Sequence, residues 1–213
     1  TAAYFAIKKA SEPLHIQWNP ATDEVEVVNY SAGTHSHLTA RVQILNMDAS
    51  VAWEKETTVD SREDTTEKCI KLEFPETLSE VYFIKLWLLE DGKILSDNFY
   101  HASRKGINYQ ALKQLPEVTL DCQAKVVQDK EGNWTATVTL TNPTSTPALM
   151  TRINVVGDKD GDQFLPILYE DNYFALLPGE QKEVSVRWKD VDTRGNSPVI
   201  RITGYNVKEL SRQ

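Results

Sequence analysis

The sequence has few cysteines, no long apolar run and no block of basic residues. Two cysteines, Cys69 and Cys122, are too few for a disulfide-stapled secreted domain, and we expect both to be small apolar side chains rather than a pair. The longest apolar run, Val81–Leu89, is interrupted by Lys85 and is too short to cross a bilayer. The net charge of −8, spread along the chain, argues against nucleic acid and membranes as partners.

Motifs that carry enzymatic chemistry are also missing. The sequence has no G-x-S-x-G, no C-x-x-C and no glycine-rich phosphate loop. The stretch "DKDGD" (Asp158–Asp162) resembles the start of a calcium loop, but its glycine is misplaced and Tyr169 stands where the loop needs glutamate, so a hairpin turn is favoured. His35 and His37 could form half of a metal site, but no third ligand is near them in sequence. We therefore expect no catalytic residue, no metal and no cofactor.

Period-two alternation of apolar and polar residues is what the sequence does have. It is clearest in "LTARVQIL", "TATVTLT" and "EVSVRW", and it predicts half-buried antiparallel strands. Turn signals such as Asn142-Pro143, Asp160-Gly161 and Pro178-Gly179 separate the runs. The predicted strands of the first half are Leu14–Trp18, Glu24–Asn29, Leu38–Asn46, Val51–Thr57, Lys68–Phe74, Val81–Leu89 and Lys93–Tyr100. Those of the second half are Val118–Val127, Trp134–Thr141, Leu149–Val156, Gln163–Leu165, Tyr173–Leu176, Glu183–Trp188 and Val199–Val207.

About seven short strands in roughly 100 residues, twice over, are typical of tandem immunoglobulin-like sandwiches. We predict an all-β chain of two such sandwiches, without the disulfide pin of antibody domains. A short helical lead-in, Ala2–Ala10, precedes them and ends at "SEP". The predicted divisions are a lead-in over 1–12, one sandwich over 13–113 and a second over 114–213, with the boundary inside Ile107–Val118. The halves also echo each other loosely, "VEVVNYS" with "VTLTNPT".

The stretch "YEDNYFALLPGE" (Tyr169–Glu180) combines carboxylates, an asparagine and aromatic rings, as a glycosidase or sugar site would. A shorter relative, "SDNFY" (Ser96–Tyr100), occurs in the first half. A retaining glycosidase needs two carboxyl groups about 5–5.5 Å apart across the sugar. Glu170 and Asp171 are neighbours that would point to opposite sides of a strand, so a turn is favoured.

Aromatic platforms for a sugar are the remaining site hypothesis. Trp87 and Trp188 lie in apolar strand registers and are predicted to be core residues, whereas Trp53 and Trp134 lie near predicted loop ends and stay open as ligand residues. The candidate glycan contacts are Tyr169, Asp171, Asn172, Tyr173 and Trp134.

Four stretches resemble the C-terminal region of glycoside hydrolase family 2 enzymes. They are "AYFAIKKASEPLHIQWNP" (Ala3–Pro20), "LSDNFYHAS" (Leu95–Ser103), "TNPTSTPAL" (Thr141–Leu149) and "ILYEDNYFALLPGEQKEVSVRW" (Ile167–Trp188). Within that family the sequence is most similar to the β-mannosidase branch, with exo-β-glucosaminidases and endo-β-mannosidases as near neighbours. The resemblance implies a five-part enzyme with a catalytic (β/α)₈ barrel, of which this chain would be the last two domains.

The same resemblance implies what the chain does. In the family the acid/base glutamate follows an asparagine and the nucleophile is a second glutamate, both in the barrel. This sequence has no Asn-Glu dipeptide and no barrel, so no catalytic residue is carried over. We expect an inert piece of a longer, periplasmic or secreted glycosidase, whose partners are the barrel and a glycan. A carbohydrate-binding module and a surface adhesin-type module are the alternatives.

Overall fold

The chain forms two compact units in a computed structural model, which describes residues 1–159 and 161–212. The first unit runs from Ala3 to Gln114, and the second runs from Leu115 to the C-terminal end. The predicted turn at Asp160-Gly161 and the "DKDGD" stretch include Asp160, which lies outside the described residues.

The first unit is a sandwich of two antiparallel sheets, preceded by helix α1 (Ala2–Ala10). Its strands are β1 (Leu14–Asn19), β2 (Glu24–Asn29), β3 (His35–Asn46), β4 (Val51–Ser61), β5 (Thr65–Lys71), β6 (Val81–Glu90) and β7 (Lys93–Ser103). The sheets have the orders β1-β2-β5 and β4-β3-β6-β7. All seven strands predicted for this half are present, although β5 ends at Lys71 and not at Phe74, and the helix ends at Ala10 as the "SEP" stretch predicts.

Period-two alternation builds the core of the first unit. On β3 the side chains of Leu38, Ala40, Val42 and Ile44 are fully buried, while the residues between them are more exposed. β6 lacks this alternation because both of its faces are covered: Phe83 and Lys85 are buried as well as the core-facing residues. That double burial explains why the sequence of β6 is apolar at almost every position, with Lys85 as the interruption.

The second unit is also a two-sheet sandwich. Its strands are β8 (Asp121–Gln128), β9 (Asn133–Thr141), β10 (Ala148–Gly157), β11 (Leu168–Tyr169), β12 (Phe174–Leu176), β13 (Gln181–Lys189), β14 (Pro198–Thr203) and β15 (Leu210–Arg212). The sheet orders are β11-β13-β9-β8 and β12-β10-β14-β15. Buried apolar residues fill the space between the sheets, among them Val138, Leu140, Val186 and Trp188. The all-β prediction is confirmed, and the immunoglobulin-like class with it.

Several predicted details of the second unit are wrong. Gln163–Leu165 is not a strand: Gln163 makes a single bridge to Val156, and Phe164 is a buried core residue. The strand predicted from Val118 begins at Asp121, since Val118 makes only an isolated bridge to Val207. The sequence also did not predict β11, β15 or the two 3₁₀ helices, Gln110–Gln114 and Asp190–Thr193.

Of the two tryptophans predicted to be core residues, one is in the core and the other is not. Trp188 is a core residue, only 4% exposed, as predicted. Trp87 is not: it lies on the face of β6 turned away from the core, with the Arg41 guanidinium 5.5 Å and Lys85 Nζ 5.6 Å from its ring centre. The two cations hold the ring by cation–π attraction instead of core packing. Trp53 is the third residue of β4, near the start of the strand as predicted, and it packs partly buried against the core.

A buried asparagine closes the end of one strand in each unit, at the place where the two halves of the sequence echo each other. Asn29 ends β2, and its Oδ1 accepts hydrogen bonds from the backbone N and Oγ of Ser31. Asn142 follows β9 and does the same with the backbone N and Oγ1 of Thr144. Each carboxamide also donates to two backbone carbonyls, and both residues are 0% exposed. The echo "VEVVNYS"/"VTLTNPT" therefore encodes the same polar corner twice.

Candidate functional site

The motif "YEDNYF" forms a polar turn held by Asn172. This side chain is only 4% exposed and imitates a strand partner: its Oδ1 accepts from Ile153 N and its Nδ2 donates to Ile153 O, both at 2.8 Å. Asp171 Oδ1 accepts from the backbone N of Asn172 at 2.7 Å, which fixes the turn locally. The asparagine thereby satisfies the backbone of β10 at a buried position.

The neighbours of Asn172 are engaged within the protein as well. Asp171 Oδ2 lies 2.6 Å from Lys182 Nζ, and that ammonium lies 4.9 Å from the ring centre of Phe174. The Tyr169 hydroxyl accepts a hydrogen bond from Val155 N at 3.3 Å, and burial raises the pKa of this phenol. Within this turn, the backbone of Tyr173 adopts the left-handed conformation, with φ at 60°.

Trp134, the fifth candidate residue, lies on β9 beside the core tryptophan. Its ring is parallel to that of Trp188, within 5°, with ring centres 6.1 Å apart. Its indole Nε1 donates to Asp190 Oδ1 at 2.8 Å. The face toward Trp188 and the polar N–H are both occupied, so less of this ring is available to a ligand than its predicted place near a loop end suggests.

The shorter motif "SDNFY" anchors the lead-in segment to the first sandwich. Ser96 Oγ donates to Glu12 Oε2 at 2.7 Å, and Asp97 Oδ1 accepts from Lys9 Nζ at 2.8 Å. Lys9 also bonds Glu12, at 2.9 Å. Ser96 and Glu12 are 84 positions apart in sequence, and Asp97 and Lys9 are 88 apart. The motif therefore joins the start of the chain to β7.

A buried histidine and a buried lysine complete this arrangement. His15 is 4% exposed, with its Nδ1 3.5 Å from Glu12 Oε2 and its Nε2 3.3 Å from Asn98 Nδ2. Lys85 is 6% exposed, and its Nζ lies 3.3 Å from Asp97 Oδ2. We call the set Lys9, Glu12, His15, Lys85, Ser96 and Asp97 the anchor network.

The anchor network stabilises the charged forms of Glu12 and Lys9. Burial alone would raise the pKa of Glu12, but hydrogen bonds from His15, Lys9 and Ser96 outweigh it and hold that pKa below its ordinary value. Burial alone would lower the pKa of Lys9, but the Asp97 and Glu12 carboxylates raise it. The pair therefore stays ionised across the neutral range, and it serves as an electrostatic clamp on α1.

Comparison with known proteins gives this architecture a family. The family model for the exo-β-D-glucosaminidase Ig-fold domain matches residues 98–207, a little over half of the chain. The chain belongs to this Ig-fold family. The resemblance to family 2 glycoside hydrolases is thereby confirmed, and the matched range covers β7 from Asn98 and the second unit as far as Val207.

Relatives of this Ig-fold chain are long glycosidases. An exo-β-D-glucosaminidase of Streptomyces avermitilis is 32% identical over 97% of the chain, and a mannosylglycoprotein endo-β-mannosidase of Lilium longiflorum is 23% identical over 98%. The crystal structure of an exo-chitosanase from Amycolatopsis orientalis superposes on 99% of the chain with a TM-score of 0.90 and 27% identity. The chain spans about a quarter of the length of the curated relatives it matches, 25% for the Streptomyces enzyme. It therefore corresponds to a non-catalytic part of these glycosidases.

Metal chemistry finds no support in the described part of this Ig-fold chain. Over residues 1–159 and 161–212, no group of three or more His, Cys, Asp or Glu side chains could hold a metal ion. His35 Nε2 instead lies 2.9 Å from Ser31 Oγ, and His37 takes a left-handed conformation at φ 57° in β3. Among the described helices, none has the length and apolar character needed to cross a membrane.

Sequence reasoning missed the anchor network. It singled out "SDNFY" for its composition, but the partners Lys9, Glu12 and His15 lie at the opposite end of the unit's sequence. A usable signal was Lys85, the one charge inside the apolar run of β6, since a buried lysine requires a carboxylate nearby. Asp97 supplies that carboxylate from the paired strand.

Acidification is expected to loosen α1. Because the Glu12 pKa is lowered on folding, the stability that its ionised form contributes is present above the ordinary value of 4.5 and is lost as the pH falls through the lower folded value. Glu12→Gln should remove this pH-dependent contribution to the free energy of unfolding, which is about 1 kcal/mol or less for a partly exposed group. An NMR titration of the α1 amides between about pH 6 and pH 3 measures it.

The control for this titration is Glu73→Gln, which alters an exposed carboxylate of the same unit. In this variant the α1 amide signals should change with pH as they do in the unaltered chain. Wild-type α1 signals that stay constant through the acid range would contradict an ionised Glu12 as part of the clamp.

Both thiols are expected to be unreactive while the chain is folded. Cys69 and Cys122 are free, as predicted, and they belong to different units. Burial raises the pKa of Cys69 to about 12 and also raises that of Cys122, so the reactive thiolate is scarce near neutral pH. A thiol-reactive dye at about pH 8 should label neither cysteine in buffer and both in denaturant. Labelling in buffer at the rate of a free thiol would show that these sites open readily.

Proposed function

We propose that this chain is a structural, non-catalytic part of a longer family 2 glycosidase, and that the first unit holds the segment entering it. The anchor network carries the proposal, because it fixes α1 and β1 to β6 and β7 through the Lys9–Asp97, Glu12–Ser96 and Lys85–Asp97 contacts. Such a clamp transmits the position of a preceding segment to a rigid sandwich. We propose the catalytic (β/α)₈ barrel as that preceding partner.

For the parent enzyme we propose exo-β-D-glucosaminidase activity in preference to β-mannosidase activity. The support is similarity: the Streptomyces exo-β-D-glucosaminidase is 32% identical to the chain, whereas the lily endo-β-mannosidase is 23% identical. The substrate would be a β-linked glycan containing glucosamine. We further propose that the parent acts outside the cytoplasm, where such polymers occur.

Two finer points remain proposals. We propose that the sandwich over 13–113 and the sandwich over 114–213 are independently folding domains. We also propose that Tyr169, Asp171, Asn172, Tyr173 and Trp134 act first as structural residues of the second domain. Their engaged polar groups support this role over direct glycan contact.

The test compares the 213-residue chain with the full-length protein on p-nitrophenyl β-D-glucosaminide and p-nitrophenyl β-D-mannoside. We expect no hydrolysis by the chain alone, and hydrolysis by the full-length protein with a higher kcat/KM for the glucosaminide. Hydrolysis by the chain alone that disappears in Asp97→Asn or Asp171→Asn would overturn the structural assignment. A full-length protein that prefers the mannoside would overturn only the substrate.

The anchoring role has a separate test in the full-length protein. Lys9→Met removes a cation from the clamp, whereas Lys93→Met removes an exposed lysine at the β6–β7 turn. We expect the first change to lower the temperature of thermal inactivation while KM is unchanged, and the second to do neither. Equal effects of the two changes would argue against the clamp.

A further inference from the structure

An open groove of about 480 Å³ lies in the first unit beside the lead-in segment. Its lining includes the chain from Ala10 to Pro13 and Tyr30, whose backbone N donates to Pro13 O at 2.7 Å. Its floor consists of His15, Gln17, Val28 and Thr66.

The floor belongs to the face of the β1-β2-β5 sheet that turns away from the core. Ile16 and Val27 point into the core, so their neighbours His15, Gln17 and Val28 point to the other side. Thr66 is directly opposite Val28 in the β2–β5 register and shares that face. Three strands thus present one apolar and several polar side chains toward the same open space.

The walls and floor are held in place before any ligand arrives. Glu12, on the helix side, is bonded by Lys9 and Ser96 of the anchor network. Gln17 Nε2 donates to Glu26 Oε2 at 3.0 Å, and Glu26 itself is only 5% exposed. A preformed site loses less conformational entropy on binding, which favours even a weak ligand.

The chemistry of the groove fits a sugar. Tyr30 is 71% exposed, so a large aromatic ring stands open at the rim. Aromatic faces bind the apolar face of a pyranose, while hydroxyl, amide and carboxylate groups bind its hydroxyls. Thr66, Ser11 and Gln17 supply such polar groups along the groove.

Charge narrows the class of ligand further. The Glu12 carboxylate in the lining is paired with Lys9 at 2.9 Å, and no lysine or arginine is among the described lining residues. Glu26 lies next to the floor, bonded to Gln17. This balance disfavours anionic sugars and accepts neutral or protonated amino sugars.

We propose that this groove binds a pyranose unit of a neutral or amino-sugar glycan. Tyr30 stacks against the ring of the sugar. Thr66 and the amide oxygen of Gln17, whose Nε2 donates to Glu26, bind its hydroxyl groups. The site is separate from the five candidate residues of the second unit, and it requires no catalytic activity of the parent.

The experiment titrates the isotope-labelled 213-residue chain with a β-1,4-linked glucosamine tetramer and, in parallel, with cellotetraose. We expect the backbone amides of Gln17, Tyr30 and Thr66 to shift in a saturable way. Tyr30→Ala should weaken binding about tenfold, equivalent to about 1.4 kcal/mol. Thr66→Arg, which fills the groove and adds a cation, should abolish it.

Tyr205→Ala is the matched control, because Tyr205 is 51% exposed in the second unit and far along the chain from the groove. It should bind as the unaltered chain does. Binding of the glucosamine tetramer alone assigns an amino sugar, and equal binding of both tetramers assigns a neutral pyranose. The proposal is overturned if neither tetramer shifts these amides at up to about 10 mM, a weak-binding limit. It is also overturned if folded Tyr30→Ala and Thr66→Arg variants both bind undiminished.

Discussion

Replacing Trp188 with alanine is expected to lower the free energy of unfolding of the second unit by about 3–5 kcal/mol. The ring is 4% exposed, lies parallel to Trp134 and contacts the buried Phe164, so its removal empties a large volume between the sheets. Urea unfolding, followed by hydrogen exchange of core amides such as that of Val186, measures the loss in the second unit separately from the first.

Two further variants distinguish the cavity from other effects. Val191→Ala alters a side chain that is 78% exposed and should change stability by less than about 0.5 kcal/mol. Trp188→Phe keeps most of the ring and removes an indole N–H that has no hydrogen-bond partner among the described residues. It should therefore cost clearly less than alanine. A Trp188→Ala chain with an unaltered unfolding curve would place the ring on the surface and reopen it as a sugar platform.

Asn142→Asp is expected to destabilise the second unit by about 3 kcal/mol at neutral pH. The Nδ2 group of Asn142 donates to Thr146 O at 2.8 Å and to Leu176 O at 2.9 Å, in a residue that is 0% exposed. An ionised carboxylate has no hydrogen to donate. It would place a negatively charged oxygen against these two buried carbonyl oxygens, which would lose their hydrogen bonds. The loss should shrink on acidification, because protonation of the new carboxyl restores a donor.

The matched changes are Asn29→Asp and Asn108→Asp, measured by the same unfolding experiment at two pH values. Asn29 makes the corresponding contacts in the first unit, so its variant should lose a similar amount there. Asn108 is exposed, and its Oδ1 only accepts a hydrogen bond from Gln110 N, which aspartate can also do. An Asn142→Asp loss no larger than that of Asn108→Asp would argue against the buried corner.

Local sequence was enough to predict the long strands, because the alternation of apolar and polar residues follows the alternation of buried and exposed positions. β3, β9 and β13 each place apolar residues on the core side at every second position. β11 and β15 have two and three residues, too short for any period to be visible, and they exist because a neighbouring strand supplies hydrogen-bond partners. Gln163–Leu165 has strand-like composition, but Phe164 fills the core from an irregular segment.

Trp87 and Lys85 show where side-chain type misleads. They lie on the same face of β6, where the sequence predicted core for the tryptophan from its apolar neighbours. In the structure Lys85 is buried and paired with Asp97, whereas Trp87 is partly exposed and lies under the Arg41 guanidinium. Which face of a strand is covered depends on what packs above it, and no local pattern carries that information.

Neighbouring residues along the sequence are enough to predict an all-β chain of two similar halves, without motifs for metal or nucleophilic chemistry and with a helix that ends at Ala10. These properties depend on neighbours in sequence: period-two alternation, turn residues and the absence of whole motifs. Three features become visible only in the folded chain: "SDNFY" holds the lead-in, Asn172 bonds the backbone of β10, and a groove lies beside Tyr30. Each of these joins groups distant in sequence or on different strands, and hydrogen bonds and charge pairs form only when folding brings such groups within about 3 Å.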